Sequence, residues 1–227
     1  MNLFRSFLLC VCVILPLGVL AQEREVFTWN AGHAVVTPSL VDHPERLYHC
    51  SFDTEYATRS YQESVGNDKY IITIHSPSDF QVDESYEVIT IKNVTTGDDI
   101  FVSEGAYGSL SADAQFLTGM QSHVPYLKLP LDGESFALLF AGLLYTGNEA
   151  PEMMVVVVRG NEAKIVFDKM AFVYKYTPYP NYSAEYVEDI EWFMQNPGPK
   201  PPASMFDKLK RFKIWQEGNI LKYKPLN

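Results

Sequence analysis

The sequence predicts a mainly β protein: an antiparallel, sandwich-like domain of about nine strands, followed by two short C-terminal helices. Short runs of β-branched and aromatic residues alternate with turn residues through the middle of the chain, a pattern typical of strands joined by tight turns. After Thr177, prolines become frequent and apolar residues recur at helical spacing. This change of pattern indicates a helical C-terminal segment.

Nine segments combine strand-forming residues with turn residues at their ends. They cover residues 48–56, 69–75, 86–94, 100–102, 126–131, 136–145, 153–158, 163–167 and 172–176. Residues 136–145 are almost entirely apolar, so we expect a central strand that is covered on both faces. Residues 95–99 predict a hairpin loop, and Gly160-Asn161 predicts a two-residue turn with Gly at its first central position.

The C-terminal segment contains two helical patterns. Ser183 can cap a helix whose apolar residues share one face, and Ser204 can cap a second helix that ends at Gly218. We therefore divide the chain into a β-rich domain, residues 22–177, and a Pro-punctuated helical appendage, residues 178–227, that packs on it.

The composition excludes several classes of protein. The chain has 227 residues, of which 47% are hydrophobic and 20% charged, so it is neither disordered nor fibrous. Its 18 basic and 28 acidic residues give a net charge of −10. A nucleic-acid binder needs a basic face for the phosphates, so nucleic acid is not an expected partner.

The N-terminus predicts an export signal over residues 1–21. Arg5 precedes an apolar run over residues 7–20, and Ala21 supplies a small residue for a signal peptidase. The run is shorter than the roughly 20 residues that cross a membrane as a helix. We expect cleavage after Ala21, a secreted or periplasmic protein, and no transmembrane span in the mature chain.

Basic residues outnumber acidic ones from Lys200 onward, and four of them lie within residues 208–213. Such a cluster can bind an anionic polymer or a membrane surface. It can equally be a solvated face beside the acidic part of the protein. The second interpretation is favoured, because an anion would meet a repelling acidic body.

The sequence predicts no metal site and no cofactor. Among the histidines and Cys50, only His43, His49 and Cys50 are close in sequence and could supply three zinc ligands, but a strand over residues 48–56 would point His49 and Cys50 to opposite faces. Cys50 has no disulfide partner in the mature chain and is expected to be buried. The sequence has no P-loop and no Gly-x-Gly-x-x-Gly motif for nucleotide binding.

Catalytic motifs give little support for an enzyme. No Gly-x-Ser-x-Gly elbow is present. A glycoside hydrolase that uses two carboxylates has no fixed spacing between them, so this alternative stays open. Four acidic residues lie at or near predicted strand ends: Glu134, Glu149, Glu152 and Asp168.

Aromatic residues are concentrated between Tyr174 and Phe193. Tyr176, Tyr179 and Tyr182 lie around the prolines and are predicted to bind a ligand. Exposed tyrosine rings can stack on sugars or anchor a protein partner. In the alternative interpretation, the aromatic residues of this segment fix the helix on the sheet.

Together these patterns predict an exported, non-catalytic β-rich domain that binds a protein or a glycan outside the cytoplasm. The alternatives are a secreted glycoside hydrolase with paired Asp or Glu residues, and a structural protein held at a surface by its basic C-terminal segment. The sequence does not predict an oligomeric state.

Overall fold

The computed structural model describes residues 22–41, 56–77, 87–105, 126–144, 150–188 and 208–226. Within these ranges the chain forms fifteen β-strands and a 3₁₀ turn at Pro38–Leu40. No helix in them is long and apolar enough to cross a membrane. The strands are β1 (Arg24–Glu25), β2 (Phe27–Asn30), β3 (His33–Val36), β4 (Tyr56–Val65), β5 (Asp68–Pro77), β6 (Glu87–Asn93), β7 (Asp99–Gly105), β8 (Leu127–Asp132), β9 (Ser135–Leu144), β10 (Ala150–Arg159), β11 (Glu162–Lys169), β12 (Phe172–Thr177), β13 (Ser183–Glu188), β14 (Lys210–Glu217) and β15 (Ile220–Pro225).

The strands form three antiparallel sheets and a two-stranded ribbon. Sheet I has the order β4-β5-β6-β7, sheet II the order β11-β10-β9-β8, and sheet III the order β1-β15-β14-β13-β12. Strands β2 and β3 form the ribbon. Most neighbouring strands are consecutive in the chain, as expected where short turns join antiparallel strands. Sheet III is the exception, because the N-terminal β1 pairs with the C-terminal β15.

Sheet II is the middle layer of the protein. Phe136, Leu138 and Phe140 of β9 pack in a core with sheet I. The alternate residues, Ala137 and Leu139, pack in a second core with sheet III. Residues 136–140 of β9 and 153–158 of β10 are all 0% exposed. The prediction that this segment is a central strand covered on both faces is confirmed for residues 136–140.

The predicted β class is confirmed, and eight of the nine predicted strands coincide with β5 to β12. The ninth, residues 48–56, lies outside the described residues except at Tyr56, where β4 begins. The predicted export signal, His43, His49 and Cys50 also lie outside them. The predicted turn at Gly160-Asn161 is confirmed, since Arg159 pairs with Glu162 and Gly160 has φ +54°.

The two predicted C-terminal helices are wrong for the residues that the structure describes. Residues 183–188 and 210–217 form strands β13 and β14 inside sheet III. In β14, the buried Phe212 and Ile214 are separated by the half-exposed Lys213, which is the period-two pattern of a strand. Gly218, expected as a helix stop, has φ +58° and turns the chain between β14 and β15.

The C-terminal basic cluster lies beside an acidic strand. Lys213 is opposite Glu185, and Lys210 is opposite Glu188, in the pairing of β14 with β13. Opposite charges across antiparallel strands stabilise a sheet by roughly 0.2–1 kcal/mol per pair. This arrangement agrees with the favoured interpretation of the cluster as a solvated face next to acidic residues.

A buried asparagine joins sheet I to sheet II. Asn93, at the end of β6, is 1% exposed. Its Nδ2 donates hydrogen bonds to the carbonyl oxygen of Gly160 at 3.1 Å and to Oδ1 of Asn161 at 2.8 Å. Its Oδ1 accepts a hydrogen bond from the amide of Thr95 at 2.9 Å. The Tyr70 hydroxyl also donates to Gly160 O, so the β6–β7 and β10–β11 connections are held together.

Replacing Asn93 with Ala should lower the free energy of unfolding by about 1–3 kcal/mol, because buried groups around Gly160 and Thr95 would lose their partner. Asn67→Ala, at an exposed turn position, is the matched control and should change it by less than about 0.5 kcal/mol. Urea denaturation of both variants measures the difference. Equal stability of the two variants would contradict the role given to Asn93.

Candidate ligand-binding groove

The tight turns of the three sheets lie at one end of the molecule, which we call the turn end. In sheet II, Arg159 pairs with Ser135, so the β8–β9 and β10–β11 turns are adjacent. A Cβ atom added to Gly66 would lie 3.1 Å from the carbonyl oxygen of Gly133, so the β4–β5 turn meets the β8–β9 turn. Loops held by a rigid scaffold are the usual location of binding residues. We therefore expect a binding site at the turn end.

Three of these turns use the same dipeptide. Gly66-Asn67, Gly160-Asn161 and Gly218-Asn219 each join two antiparallel strands, and the three glycines have φ values of +57°, +54° and +58°. Glycine adopts this left-handed conformation without the steric cost of a Cβ atom. The hairpins are therefore short, and their ends are fixed close to the sheets.

A groove of about 430 Å³ opens at the turn end between sheets II and III. We call it the turn groove. Its walls come from three separate parts of the chain: residues 130–133 of β8 and its turn, residues 179–181 between β12 and β13, and Gln216, Gly218 and Asn219 at the β14–β15 turn. The volume lies in the range of roughly 300–1,000 Å³ that is typical of small-molecule sites.

Gln216 holds the three walls together. Its backbone amide donates to the carbonyl oxygen of Tyr182 at 3.0 Å. Its side-chain Nε2 donates to the carbonyl oxygens of Pro130 and Gly218. One residue of β14 thus contacts the end of β8, the β12–β13 connection and the β14–β15 turn, which fixes the shape of the groove.

Asp132 supplies a carboxylate to the groove. Its Oδ1 accepts hydrogen bonds from the Glu134 amide and the Ser135 hydroxyl, each at 2.8 Å. Partial burial opposes ionisation of Asp132, but the bonds from Ser135 and Glu134 and the charge of Arg159 outweigh it and lower the pKa of the carboxyl. An ionised carboxylate has acceptor sites on both oxygens, so Asp132 can also accept a hydrogen bond from a ligand.

Tyr179 supplies an aromatic ring to the groove. Its side chain is 50% exposed, the largest exposed fraction among the large hydrophobic residues of the described chain. The exposed residues Asn181 and Asn219 also line the groove. Each amide can donate and accept hydrogen bonds. The groove therefore combines a ring with amide and carboxylate groups.

Of the three predicted binding tyrosines, only Tyr179 lies at the groove. Tyr182 is 1% exposed, so its expected exposure is wrong; its ring packs in the core between sheets II and III, and its hydroxyl is 2.5 Å from the hydroxyl of Tyr186. Burial raises the pKa of both hydroxyls. Tyr176 is half-buried against the same core.

Comparison of the chain with protein-family models, with curated proteins and with solved structures finds no match. The function is therefore inferred from the residues of the groove.

Glu134 and Asp168, two of the four acidic residues considered for hydrolysis, do not form a pair with each other. Asp168 is buried in the protein interior, whereas Glu134 is 74% exposed and forms a 2.5 Å ion pair with Arg159. Glu149 and the side chain of Glu152 lie outside the described residues. No group of three or more His, Cys, Asp or Glu side chains in the described ranges is placed to hold a metal ion.

The sequence analysis missed Asp132, Asn181, Gln216 and Asn219 as site residues. The Gly-Asn dipeptide at residues 218–219 could have predicted that Asn219 lies in a hairpin turn, because the same dipeptide predicts the turn at residues 160–161. The other three are ordinary polar residues in sequence. Only the meeting of three distant segments makes them neighbours.

The lowered pKa of Asp132 predicts a pH-dependent contribution to stability. Ionisation of Asp132 stabilises the fold above the ordinary pKa of 3.8, and this contribution is lost as the pH falls through the lowered value. Asp132→Asn should therefore be about 0.5–1 kcal/mol less stable than the wild type at pH 6, and the difference should be smaller at about pH 3, below the ordinary pKa. Urea denaturation at both pH values measures this, and a pH-independent difference would contradict it.

Proposed function

We propose that this protein is an exported, non-catalytic domain that binds a neutral saccharide in the turn groove. The single observation that carries the proposal is the exposed ring of Tyr179 beside amide and carboxylate side chains in a groove of about 430 Å³. Export rests on the predicted signal at residues 1–21, which places the binding event outside the cytoplasm.

The chemistry of the groove fits a sugar ring. The C–H face of a pyranose stacks on a tyrosine ring, which keeps its hydroxyl in water. Neighbouring sugar hydroxyls both donate and accept, so they match the amides of Asn181 and Asn219 and the acceptor oxygen of Asp132. The carboxylate and the net charge of −10 favour a neutral sugar over an acidic one.

A protein partner is the less supported of the two ligand classes. A protein interface has an apolar, aromatic core surrounded by a polar rim. The large hydrophobic residues that are exposed in the described chain lie on different strands or connections: Val35, Val94, Tyr174, Tyr179 and Ile220. Each belongs to a separate element, and of the five only Tyr179 lines the turn groove, whose other lining side chains are mostly polar.

The groove also favours binding over hydrolysis. A two-carboxylate glycosidase needs a second acid roughly 5–9.5 Å from the first, and one of the two must have a raised pKa. Asp132 is the only acidic residue among the described residues that line the groove, and its pKa is lowered. Its charge is suited to accepting hydrogen bonds.

Isothermal titration with neutral oligosaccharides of several linkage types tests the proposal. At least one should bind, and Tyr179→Ala should weaken that binding about tenfold, which corresponds to ~1.4 kcal/mol. Tyr174→Ala is the matched control, because Tyr174 is also an exposed tyrosine but lies outside the groove. It should bind like the wild type.

Two results would overturn the proposal. One is the absence of binding to every saccharide at millimolar concentration, and the other is equal binding by wild type and Tyr179→Ala. Turnover of a saccharide at catalytic protein concentration would replace the binding function with an enzymatic one.

A further inference from the structure

A second groove, of about 480 Å³, lies on sheet I next to the β4–β5 turn. We call it the hairpin groove. It is lined by residues of β4, β5 and the β6–β7 connection, among them Gln62, Ser64, Lys69, Ile71 and Val94. The sequence gives no motif at this position, and the turn groove does not include any of these residues.

The hairpin groove combines aliphatic and hydrogen-bonding groups. Val94 is 45% exposed and Ile71 is half-buried, so two aliphatic side chains face the groove or its rim. Gln62, Ser64 and Lys69 are all exposed. Aliphatic contacts with amide, hydroxyl and ammonium donors suit a polyhydroxylated ligand that has C–H faces.

The two grooves lie on either side of one contact. Gly66 of the β4–β5 turn meets Gly133 of the β8–β9 turn. Gly133 lines the turn groove, while Ser64 and Lys69, on the two strands that Gly66 connects, line the hairpin groove. The approach of the β4–β5 turn to the β8–β9 turn therefore lies between residues of the two grooves.

Their relative position is fixed by a set of hydrogen bonds between β4 and β8. The carboxylate of Glu63 accepts from the Tyr126 hydroxyl at 2.9 Å and from Lys128 Nζ at 2.8 Å. Lys128 also donates to the carbonyl oxygen of Ser64 at 2.9 Å. These half-buried contacts tie the edge of sheet I to the edge of sheet II, so a ligand can contact both grooves without a rearrangement of the sheets.

We propose that the hairpin groove extends the turn groove, and that the two bind successive units of one linear neutral oligosaccharide across the Gly66–Gly133 contact. This inference rests on the proposed saccharide-binding function. A ligand that occupies both grooves gains the second set of contacts without a second loss of translational freedom. Affinity should therefore increase with the length of the saccharide.

The test compares a disaccharide with the hexasaccharide of the same linkage, chosen from the titration panel. In the wild type, the hexasaccharide should bind at least tenfold more tightly than the disaccharide. Ser64→Trp fills the hairpin groove and should remove this gain, with the affinity for the disaccharide unchanged. Thr58→Trp is the matched control, since it lies on the same face of β4 about 20 Å away and should keep the gain.

The outcomes separate this inference from the proposed function. Equal affinities for the disaccharide and the hexasaccharide, with Tyr179→Ala still weakening both, would overturn the extension and leave the turn groove in place. A length-dependent gain that persists in Ser64→Trp would also overturn it. Failure of every saccharide to bind would overturn both proposals.

Discussion

Sheet II is enclosed on both faces, and the rest of the structure depends on this enclosure. Successive residues of β9 and β10 pack in two different cores. The side chains on both faces of each strand must therefore be apolar. Burial of apolar surface contributes roughly 25 cal/mol per Å², and a middle layer gains this on two sides. In exchange, the central strands β9 and β10 can present polar groups only near their ends.

The location of both grooves follows from that constraint. The β8–β9 turn is an end of the middle layer, so it lies between the ends of sheets I and III. The turn groove forms on its sheet III side and the hairpin groove on its sheet I side. Asn93 and Glu63 are the polar residues that fix sheet I against sheet II. Polar contacts near the turn end thus set the spacing of the layers whose apolar faces form the cores.

The sequence was sufficient to predict one central strand, because an apolar run such as residues 136–145 fits a strand buried on both faces. The sequence also predicted the hairpin at Gly160. It did not predict strands β13 and β14, whose apolar residues fit a helix or a strand equally well. Strand pairing selects the strand conformation, because β14 lies between β13 and β15, and β15 pairs with β1 from the N-terminal part of the chain. The turn groove could not be predicted, since its walls come from three segments far apart in sequence, and of its residues only Tyr179 has an unusual local composition.

The pairing of β1 with β15 sets how the molecule can be attached to something else. β15 runs from Ile220, beside the turn end, towards Pro225, and the antiparallel β1 places Arg24 opposite Tyr223. Arg24 of β1 and Pro225 of β15 therefore both lie at the end of sheet III that is away from the turn groove. A fusion partner or an immobilising tether joined next to either residue would leave the groove facing outward.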